Sequence, residues 1–126
     1  MRKKIVVIGM GYVGAAMSIV ISSSTKNKNK IFKVCGIDKE NQDGILKINA
    51  LNEGIFPYKS SDVNIKKFLK KNLRDKSLYF SSNLDEIKDA NYVIVSINFD
   101  VNLKNSIQSK YLREFDKILN SISSRI

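Results

Sequence analysis

The sequence predicts an α/β fold in which a parallel sheet is doubly wound, with helices on both faces, and three observations support this. Short apolar runs alternate with segments of helical periodicity. The run Tyr92–Ile97 is apolar without alternation, as is typical of strands buried on both faces. A glycine-rich turn, Gly9–Gly14, joins the first apolar run directly to a helical pattern. Together they predict the strand order 3-2-1-4.

The predicted strands, in chain order, are Lys4–Ile8, Ile31–Ile37, Leu78–Ser81 and Tyr92–Ile97. The first helix follows Gly14, with a predicted apolar face of Val13, Met17, Val20 and Ile21. The second predicted helix is Lys39–Asn52, with an apolar stripe of Ile45, Ile48 and Leu51, a weak point at Gly44 and a stop at Gly54. The third is Asp62–Asn72, capped by Ser60 or Ser61, and its apolar side consists of Val63, Ile65, Phe68 and Leu69. A short helix, Leu84–Lys88, is capped by Asn83, and the last helix, Tyr111–Ile122, has one apolar face of Leu112, Phe115, Ile118, Leu119 and Ile122. Ser22–Lys30 and Asn98–Ser109 are predicted to be polar loops.

The composition limits the class of protein. A chain of 126 residues corresponds to one domain at most. No apolar run approaches the roughly 18 residues of a membrane span, and the run Ile5–Ile8 is too short for a signal peptide. These features predict a cytoplasmic protein with no membrane partner.

The charge is strongly basic, with 22 lysines and arginines against 12 acidic residues and a net charge of +10. Such a balance can indicate nucleic-acid binding, for which steep salt dependence would be the test. The lysines are scattered, however, and no aromatic residues alternate with them to stack on bases. We therefore favour a solvated lysine-rich surface.

Candidates for covalent or metal chemistry are few. Cys35 is the only cysteine, has no metal-ligand cluster around it and lies in a strand pattern, which predicts a buried core residue rather than a catalytic one. Histidine, the commonest general base, is absent from the sequence. We predict no catalytic residue and no metal site.

The glycine-rich turn is the strongest functional signal. Gly9-Met10-Gly11-Tyr12-Val13-Gly14 has the pattern G-x-G-x-x-G, placed after a strand and before a helix, which is the Rossmann dinucleotide-binding fingerprint. In that interpretation Gly9 allows the turn, Gly11 lets a diphosphate approach the backbone and Gly14 lets the helix pack on the sheet. The alternative is an ordinary βα turn without a ligand.

Polar residues at the ends of other strands complete the predicted site. Asp38 follows the second strand, 24 positions after Gly14, close to the roughly 20 typical of the acidic residue that binds the adenosine ribose. A carboxylate there favours NAD over NADP, although Lys39 could neutralise a 2′-phosphate. Asp38 could also act as a helix N-cap. Ser96 and Ile97, with the residues up to Phe99, are expected beside the same crevice.

Several stretches resemble the UDP-glucose/GDP-mannose 6-dehydrogenases, the nucleotide-sugar dehydrogenases. They are Lys4–Gly14, Ile48–Gly54, Pro57-Tyr58, Leu78–Asp85 and Asp89–Val95, in the family's order and over essentially the whole chain. The resemblance implies an N-terminal Rossmann domain that binds NAD through Gly9–Gly14 and Asp38. It further implies a second domain for the nucleotide sugar, a dimer, and oxidation of the sugar C6 alcohol to a carboxylate through a covalent cysteine intermediate, as in polysaccharide biosynthesis.

The chain departs from the family's pattern in two loops and in the segments that it lacks. Asn98-Phe99-Asp100 stands where Pro-Thr-Pro is usual, and Ser60–Val63 stands where Glu-Pro-Gly-Leu is usual. The Gly-x-Gly-Gly-x-Cys nucleophile segment and the sugar domain are missing, so the resemblance implies a truncated domain, inactive alone, from a longer protein. A non-catalytic NAD-binding or assembly module is the alternative, and a homo-oligomer is compatible with either.

Overall fold

The structure is a computed structural model that describes residues 2–97 and 109–126. Its strands are β1 (Lys3–Ile8), β2 (Thr25–Lys26), β3 (Asn29–Lys30), β4 (Phe32–Ile37), β5 (Leu78–Ser81) and β6 (Tyr92–Val95). Its helices are α1 (Tyr12–Ser22), α2 (Gln42–Asn52), α3 (Val63–Arg74) and α4 (Ser109–Ser123), with a short 3₁₀ helix at Leu84–Asp89. Within the described residues, no helix is long and apolar enough to cross a bilayer.

The main sheet is parallel and four-stranded, in the order β5-β4-β1-β6. With the small β2–β3 hairpin set aside, this is the predicted order 3-2-1-4. The strand numbering differs because the hairpin adds two strands that the sequence did not predict. β1 is central, and its register pairs Ile8 with Ile37 of β4 and with Val95 of β6. The carboxyl ends of these three strands therefore meet at one edge.

Alternation along β1 divides the core into two layers. Ile5 and Val7 face a cluster built with α1, α2 and α3, whereas Val6 and Ile8 face a smaller cluster that includes Ile87 of the 3₁₀ helix and Ile122 of α4. All four β1 side chains are at least 94% buried, as their exposed fractions of 0–6% show. The doubly wound arrangement follows from this burial on both faces.

The segment Ser22–Lys30, predicted to be an exposed loop, contains a two-residue hairpin instead. Asn27 and Lys28 both have positive φ, at 54° and 67°, which is the conformation of the tight turns that connect antiparallel strands. The side chain of Lys30 then turns inward, where its Nζ donates to the carbonyl of Ser22 and to Asn72 Oδ1, at 2.8 and 2.6 Å. This contact fastens the hairpin to the end of α3.

The predicted apolar face of α1 is wrong at Val13 and Val20, although Ile21 of the same face packs against the core. The residues buried against the sheet are Gly14, Ala15, Ser18, Ile19 and Ser22, while Val13 and Val20 are 61% and 64% exposed. The reason is close approach: small side chains let α1 lie near the strands. The buried hydroxyls of Ser18 and Ser22 donate to carbonyls of their own helix, at 2.8 and 2.9 Å, so that burying them leaves no donor unpaired.

Smaller corrections concern the ends and faces of the other elements. α2 begins at Gln42 rather than Lys39, because Asn41 caps it by accepting the Gly44 N–H. α3 is capped by Asp62 rather than by either serine. The stop of α2 at Gly54, whose φ is 81°, and the Asn83 cap of the 3₁₀ helix are confirmed. Several side chains predicted on apolar faces are exposed, namely Ile45, Val63, Leu112 and Leu119.

β6 also differs from its prediction. It ends at Val95, and its residues are half-buried or exposed, with Tyr92 52% exposed, rather than buried on both faces. Among the strands described, β6 pairs only with β1 and forms an edge of the sheet. The predicted loop residues Asn98, Phe99 and Asp100 lie outside the described residues.

A charged cluster closes the amino-terminal end of the sheet. Lys4 Nζ lies 2.7 Å from Glu86 Oε2, and the Tyr79 hydroxyl donates to the same oxygen at 2.5 Å. Burial alone would raise the pKa of Glu86, but the hydrogen bonds from Lys4 and Tyr79 outweigh it and lower that pKa. Beside this cluster, burial raises the pKa of the fully buried Cys35 thiol to about 12. Cys35 is therefore a buried core residue, as predicted.

Candidate functional site

The glycine turn leaves β1 in close contact with the ends of both neighbouring strands. Gly9 has φ +101°, and a Cβ there would lie 1.9 Å from the carbonyl oxygen of Ser96. Its N–H donates to the Ile37 carbonyl at 2.7 Å. Both the conformation and the space therefore require glycine at this position.

The second half of the turn starts α1 directly above β1. A Cβ on Gly14 would lie 1.8 Å from the carbonyl oxygen of Gly9, so the helix can approach this closely only without a side chain. Gly11, the N-cap of α1, has φ −68° and ψ −173°, an extended conformation open to any residue. Its own backbone conformation thus gives no reason for glycine at this position.

The amino terminus of α1 has no capping side chain. By contrast, α2, α3 and the 3₁₀ helix are capped by Asn41, Asp62 and Asn83. The first N–H groups of a helix and its partial positive charge attract anions, so α1 presents a site that fits a diphosphate.

Met10, between the first two glycines, is held at three points. Its side chain is fully buried, and its N–H donates to Asp38 Oδ2 at 3.0 Å. Its carbonyl accepts a hydrogen bond from the Tyr58 hydroxyl. The glycine turn is therefore preformed, and Tyr58 is a contributor that the sequence did not reveal.

Asp38 lies at the end of β4, with its side chain 13% exposed. Oδ2 accepts the Met10 N–H and Oδ1 accepts the Lys39 N–H, at 3.0 and 2.7 Å. An ionised carboxylate offers about four lone-pair sites, so each oxygen can accept one more hydrogen bond, which suits the two hydroxyls of a ribose. The alternative role as a helix N-cap is wrong, because Asn41 caps α2.

Two lysines near Asp38 each form an ion pair with a carboxylate other than Asp38, and Lys47 also lies within ion-pair distance of Asp38 itself. Lys39 forms an ion pair with Glu114 of α4. Lys47 Nζ lies 3.2 Å from Asp43 and 3.9 Å from Asp38. Burial alone would lower the pKa of Lys47, but its hydrogen bond to Asp43 and the charge of Asp38 raise it. Neither lysine is thus a free cation beside the carboxylate.

Two adjoining hollows lie at this edge of the sheet, and they share the residues Gly9, Asp38, Lys39, Ile97 and Glu114. The larger, about 780 Å³, has apolar walls from the ends of β1 and β4, from the segment after β6, from the 3₁₀ helix and from α4, namely Ile8, Ile37, Ile97, Leu84 and Ile118. The smaller, about 250 Å³, lies over the glycine turn and α1. The volume of the larger hollow is within the range of small-molecule sites, which is about 300–1,000 Å³.

The structure brings nearly all the predicted site residues together. Those lining the two hollows are Gly9, Met10, Gly11, Val13, Gly14, Asp38, Lys39, Ser96 and Ile97. The side chain of Tyr12 points elsewhere, packing edge-on against Phe56 and Tyr58. Lys47 and Glu114 line the smaller hollow but were not predicted, because no local pattern in the sequence distinguishes them from other charged surface residues.

A comparison with models of known protein families identifies the family. The profile of the UDP-glucose/GDP-mannose dehydrogenase family, NAD-binding domain, matches residues 3–126. No curated protein matches the sequence.

Solved structures share the fold at low identity. An NDP-N-acetyl-D-galactosaminuronic acid dehydrogenase from Methanosarcina mazei Go1 has a TM-score of 0.78 and 20% identity, covering 96% of this chain and 24% of its own. A GDP-mannose dehydrogenase ternary complex from Pseudomonas aeruginosa has a TM-score of 0.74 and 19% identity, covering 97% and 24%. A UDP-glucose dehydrogenase from Pyrobaculum islandicum has a TM-score of 0.74 and 15% identity, covering 97% and 25%.

The chain therefore spans about a quarter of the length of the structures that it matches. Its fold and its preformed glycine turn agree with the match over residues 3–126. The chain belongs to the UDP-glucose/GDP-mannose dehydrogenase family, as an NAD-binding domain of that family.

Proposed function

We propose that this chain is the NAD-binding part of an enzyme that oxidises the C6 alcohol of a UDP- or GDP-sugar to the uronic acid. One observation carries the proposal. The uncapped start of α1, the Asp38 carboxylate and the larger apolar hollow adjoin at one edge of the sheet, in a chain whose family binds NAD.

The residues have separate roles in this proposal. The backbone of Gly9–Gly14, with the first turn of α1, holds the diphosphate, and Asp38 accepts the ribose hydroxyls. Lys39, Ser96 and Ile97 form walls of the cleft. NAD supplies the hydride acceptor when it is bound.

We infer that catalysis requires groups outside these 126 residues. A covalent mechanism needs an activated nucleophile, and the only cysteine of the chain, Cys35, is fully buried with a pKa raised to about 12. The nucleotide sugar is then a partner of the longer enzyme, which we expect to act in the cytoplasm in polysaccharide biosynthesis.

Thermal unfolding with NAD tests the binding function. NAD at 100 times its Kd should add about 2.7 kcal/mol to the free energy of unfolding, with a smaller effect for NADP at equal concentration. The matched variant Gly11→Val should keep the fold, since its φ and ψ are allowed for valine, but should lose the NAD-dependent shift. An unmodified chain whose melting temperature ignores millimolar NAD would contradict the proposal.

Absorbance at 340 nm tests the catalytic part. The chain mixed with NAD and UDP-glucose or GDP-mannose should form no NADH. Sustained NADH formation by these 126 residues would show that the catalytic groups are already present.

A second candidate is a non-catalytic NAD-binding or assembly module. It is favoured by β6, whose outer edge has no partner among the described strands and whose side chains are only partly buried. An edge of this kind is open to pairing with another chain. Sedimentation velocity at increasing concentration tests for self-association, and a reading frame that continues into Gly-x-Gly-Gly-x-Cys would favour the enzyme instead.

A further inference from the structure

The loop before α3 forms an aromatic cluster with the start of α1. The rings of Tyr12, Phe56 and Tyr58 pack edge-on in a triangle, with centroids 5.5 to 5.9 Å apart. Phe56 is buried and belongs to the larger core layer, and the Tyr12 hydroxyl lies 3.4 Å from Ser60 Oγ. The loop is thereby anchored to the core on one side and to the glycine turn on the other.

The hydroxyl of Tyr58 has a specific acceptor in this arrangement, the carbonyl of Met10. Burial raises the pKa of Tyr58, so the hydroxyl remains a protonated donor throughout the neutral range. The Met10 N–H is fixed from the other side by Asp38, 28 positions away in sequence. Both backbone groups of Met10 are thus held by side chains from other segments.

A trans peptide unit is planar, with its carbonyl and its N–H pointing in opposite directions. The Met10 carbonyl shares its peptide plane with the N–H of Gly11, so a donor that fixes the carbonyl also fixes that N–H. Because the carbonyl points at Tyr58, the Gly11 N–H points away from the aromatic cluster. Gly11 lines the smaller hollow above α1.

We propose that Tyr58 is a positioning residue for the dinucleotide: its hydroxyl, by holding the Met10 carbonyl, aims the Gly11 N–H at the site of the diphosphate. This inference rests on the proposed NAD-binding function. It assigns a role in cofactor affinity to a residue of the loop between α2 and α3, outside the glycine motif itself.

The test compares two tyrosines that each lose only a hydroxyl. Tyr58→Phe keeps the ring packing and removes the donor to Met10. The control, Tyr79→Phe, removes a hydroxyl that donates to Glu86 on the opposite face of the sheet. Calorimetric or NMR titrations of both variants and the unmodified chain use three probes: NAD, ADP and adenosine, which lacks phosphate.

We expect Tyr58→Phe to weaken NAD and ADP binding by about fivefold each, the equivalent of one hydrogen bond, and to leave the Kd of adenosine unchanged. Tyr79→Phe should lower the melting temperature without changing any of the three Kd values. Unchanged ADP and NAD affinities in Tyr58→Phe would overturn the proposal. Equal weakening of all three probes would also overturn it, because it would indicate general distortion of the cleft.

An NMR measurement without ligand distinguishes failure of the Tyr58 positioning role from failure of the proposed NAD-binding function. In Tyr58→Phe, the Gly11 amide should lose order, with its order parameter falling from the value of about 0.85 typical of rigid backbone. A Gly11 amide as rigid as in the unmodified chain would refute the positioning role. If the unmodified chain binds no NAD, the proposed function fails, while the amide measurement still decides whether Tyr58 orders the turn.

Discussion

Replacing Gly14 with alanine tests how closely α1 must approach β1. The added Cβ would lie 1.8 Å from the Gly9 carbonyl oxygen, whereas an ordinary contact is at least 3.4 Å, so the two groups must separate by about 1.6 Å. Both are backbone-linked, so no side-chain rotation can relieve the contact. The helix must therefore move away from the glycine turn.

The expected cost combines two opposing effects. Overpacking of this kind costs about 1–3 kcal/mol, and the rigid contact favours the upper end of that range. Alanine recovers about 1 kcal/mol through its better helix propensity. The net loss is about 2 kcal/mol, which in a domain of this size lowers the melting temperature by roughly 7 °C.

Cofactor binding should suffer beyond the loss of stability. A displacement of about 1.6 Å carries helix amides from hydrogen-bonding distance to beyond 3.5 Å, so we expect NAD affinity to fall about tenfold or more. Urea unfolding and NAD titration measure the two effects. Val20→Ala, at a position 64% exposed on the same helix, is the control and should change stability by no more than about 0.5 kcal/mol. A Gly14→Ala variant with the stability and NAD affinity of the unmodified chain would refute the close-packing argument.

Three further predictions concern charge. Asp38→Asn keeps an oxygen acceptor but removes the negative charge, so the Kd ratio of NADP to NAD should fall about tenfold in parallel titrations. Glu114→Gln frees Lys39 from its ion pair, and NADP affinity should rise a few-fold at low salt, with the gain lost in 0.5 M salt. The pKa of Glu86 is lowered in the folded chain, so its carboxylate stabilises the fold at pH values above the ordinary carboxyl pKa of about 4.3. This stability should be lost as the pH falls through the lowered pKa. The urea midpoint of Glu86→Gln should therefore decline less with falling pH than that of the unmodified chain.

The order of the strands could be predicted from the sequence because it follows from general rules. Short apolar runs joined by helices form parallel sheets with right-handed crossovers, which leave few topologies to choose from. The β2–β3 hairpin escaped prediction because Asn27-Lys28 lacks the glycine that usually marks such a turn. Asparagine and lysine adopt positive φ there although neither residue requires it.

The orientation of α1 could not be read from hydrophobicity alone. Two apolar side chains, Val13 and Val20, are exposed, while the polar Ser18 and Ser22 are buried. The distance between helix and sheet determines which face of α1 is buried, since a helix that lies close to a sheet needs small residues there. Its buried serines can donate to backbone carbonyls of the same helix. A rule that ranks residues by apolarity therefore misplaces the two valines and the two serines of this helix.

The residues of the candidate site also fall into two groups: those that a local sequence pattern predicts, and those that only the fold brings to the cleft. The glycine turn and Asp38 follow strands directly, so their meeting at one edge is a consequence of the parallel sheet. Tyr58 contacts Met10 across 48 positions. Glu114 reaches Lys39 from α4. Neither belongs to a local pattern, and only the folded chain brings them to the cleft.

Asp38 links the two halves of the proposed cofactor site. One of its oxygens holds the Met10 N–H, so the carboxylate that would bind the ribose also shapes the turn that would bind the diphosphate. Exchanging Asp38 for a small residue to admit a 2′-phosphate would therefore release one of the three anchors of Met10. In the proposed site, selectivity for the ribose and affinity for the diphosphate would be coupled through this residue, and a switch to NADP would need a replacement that still accepts the Met10 N–H.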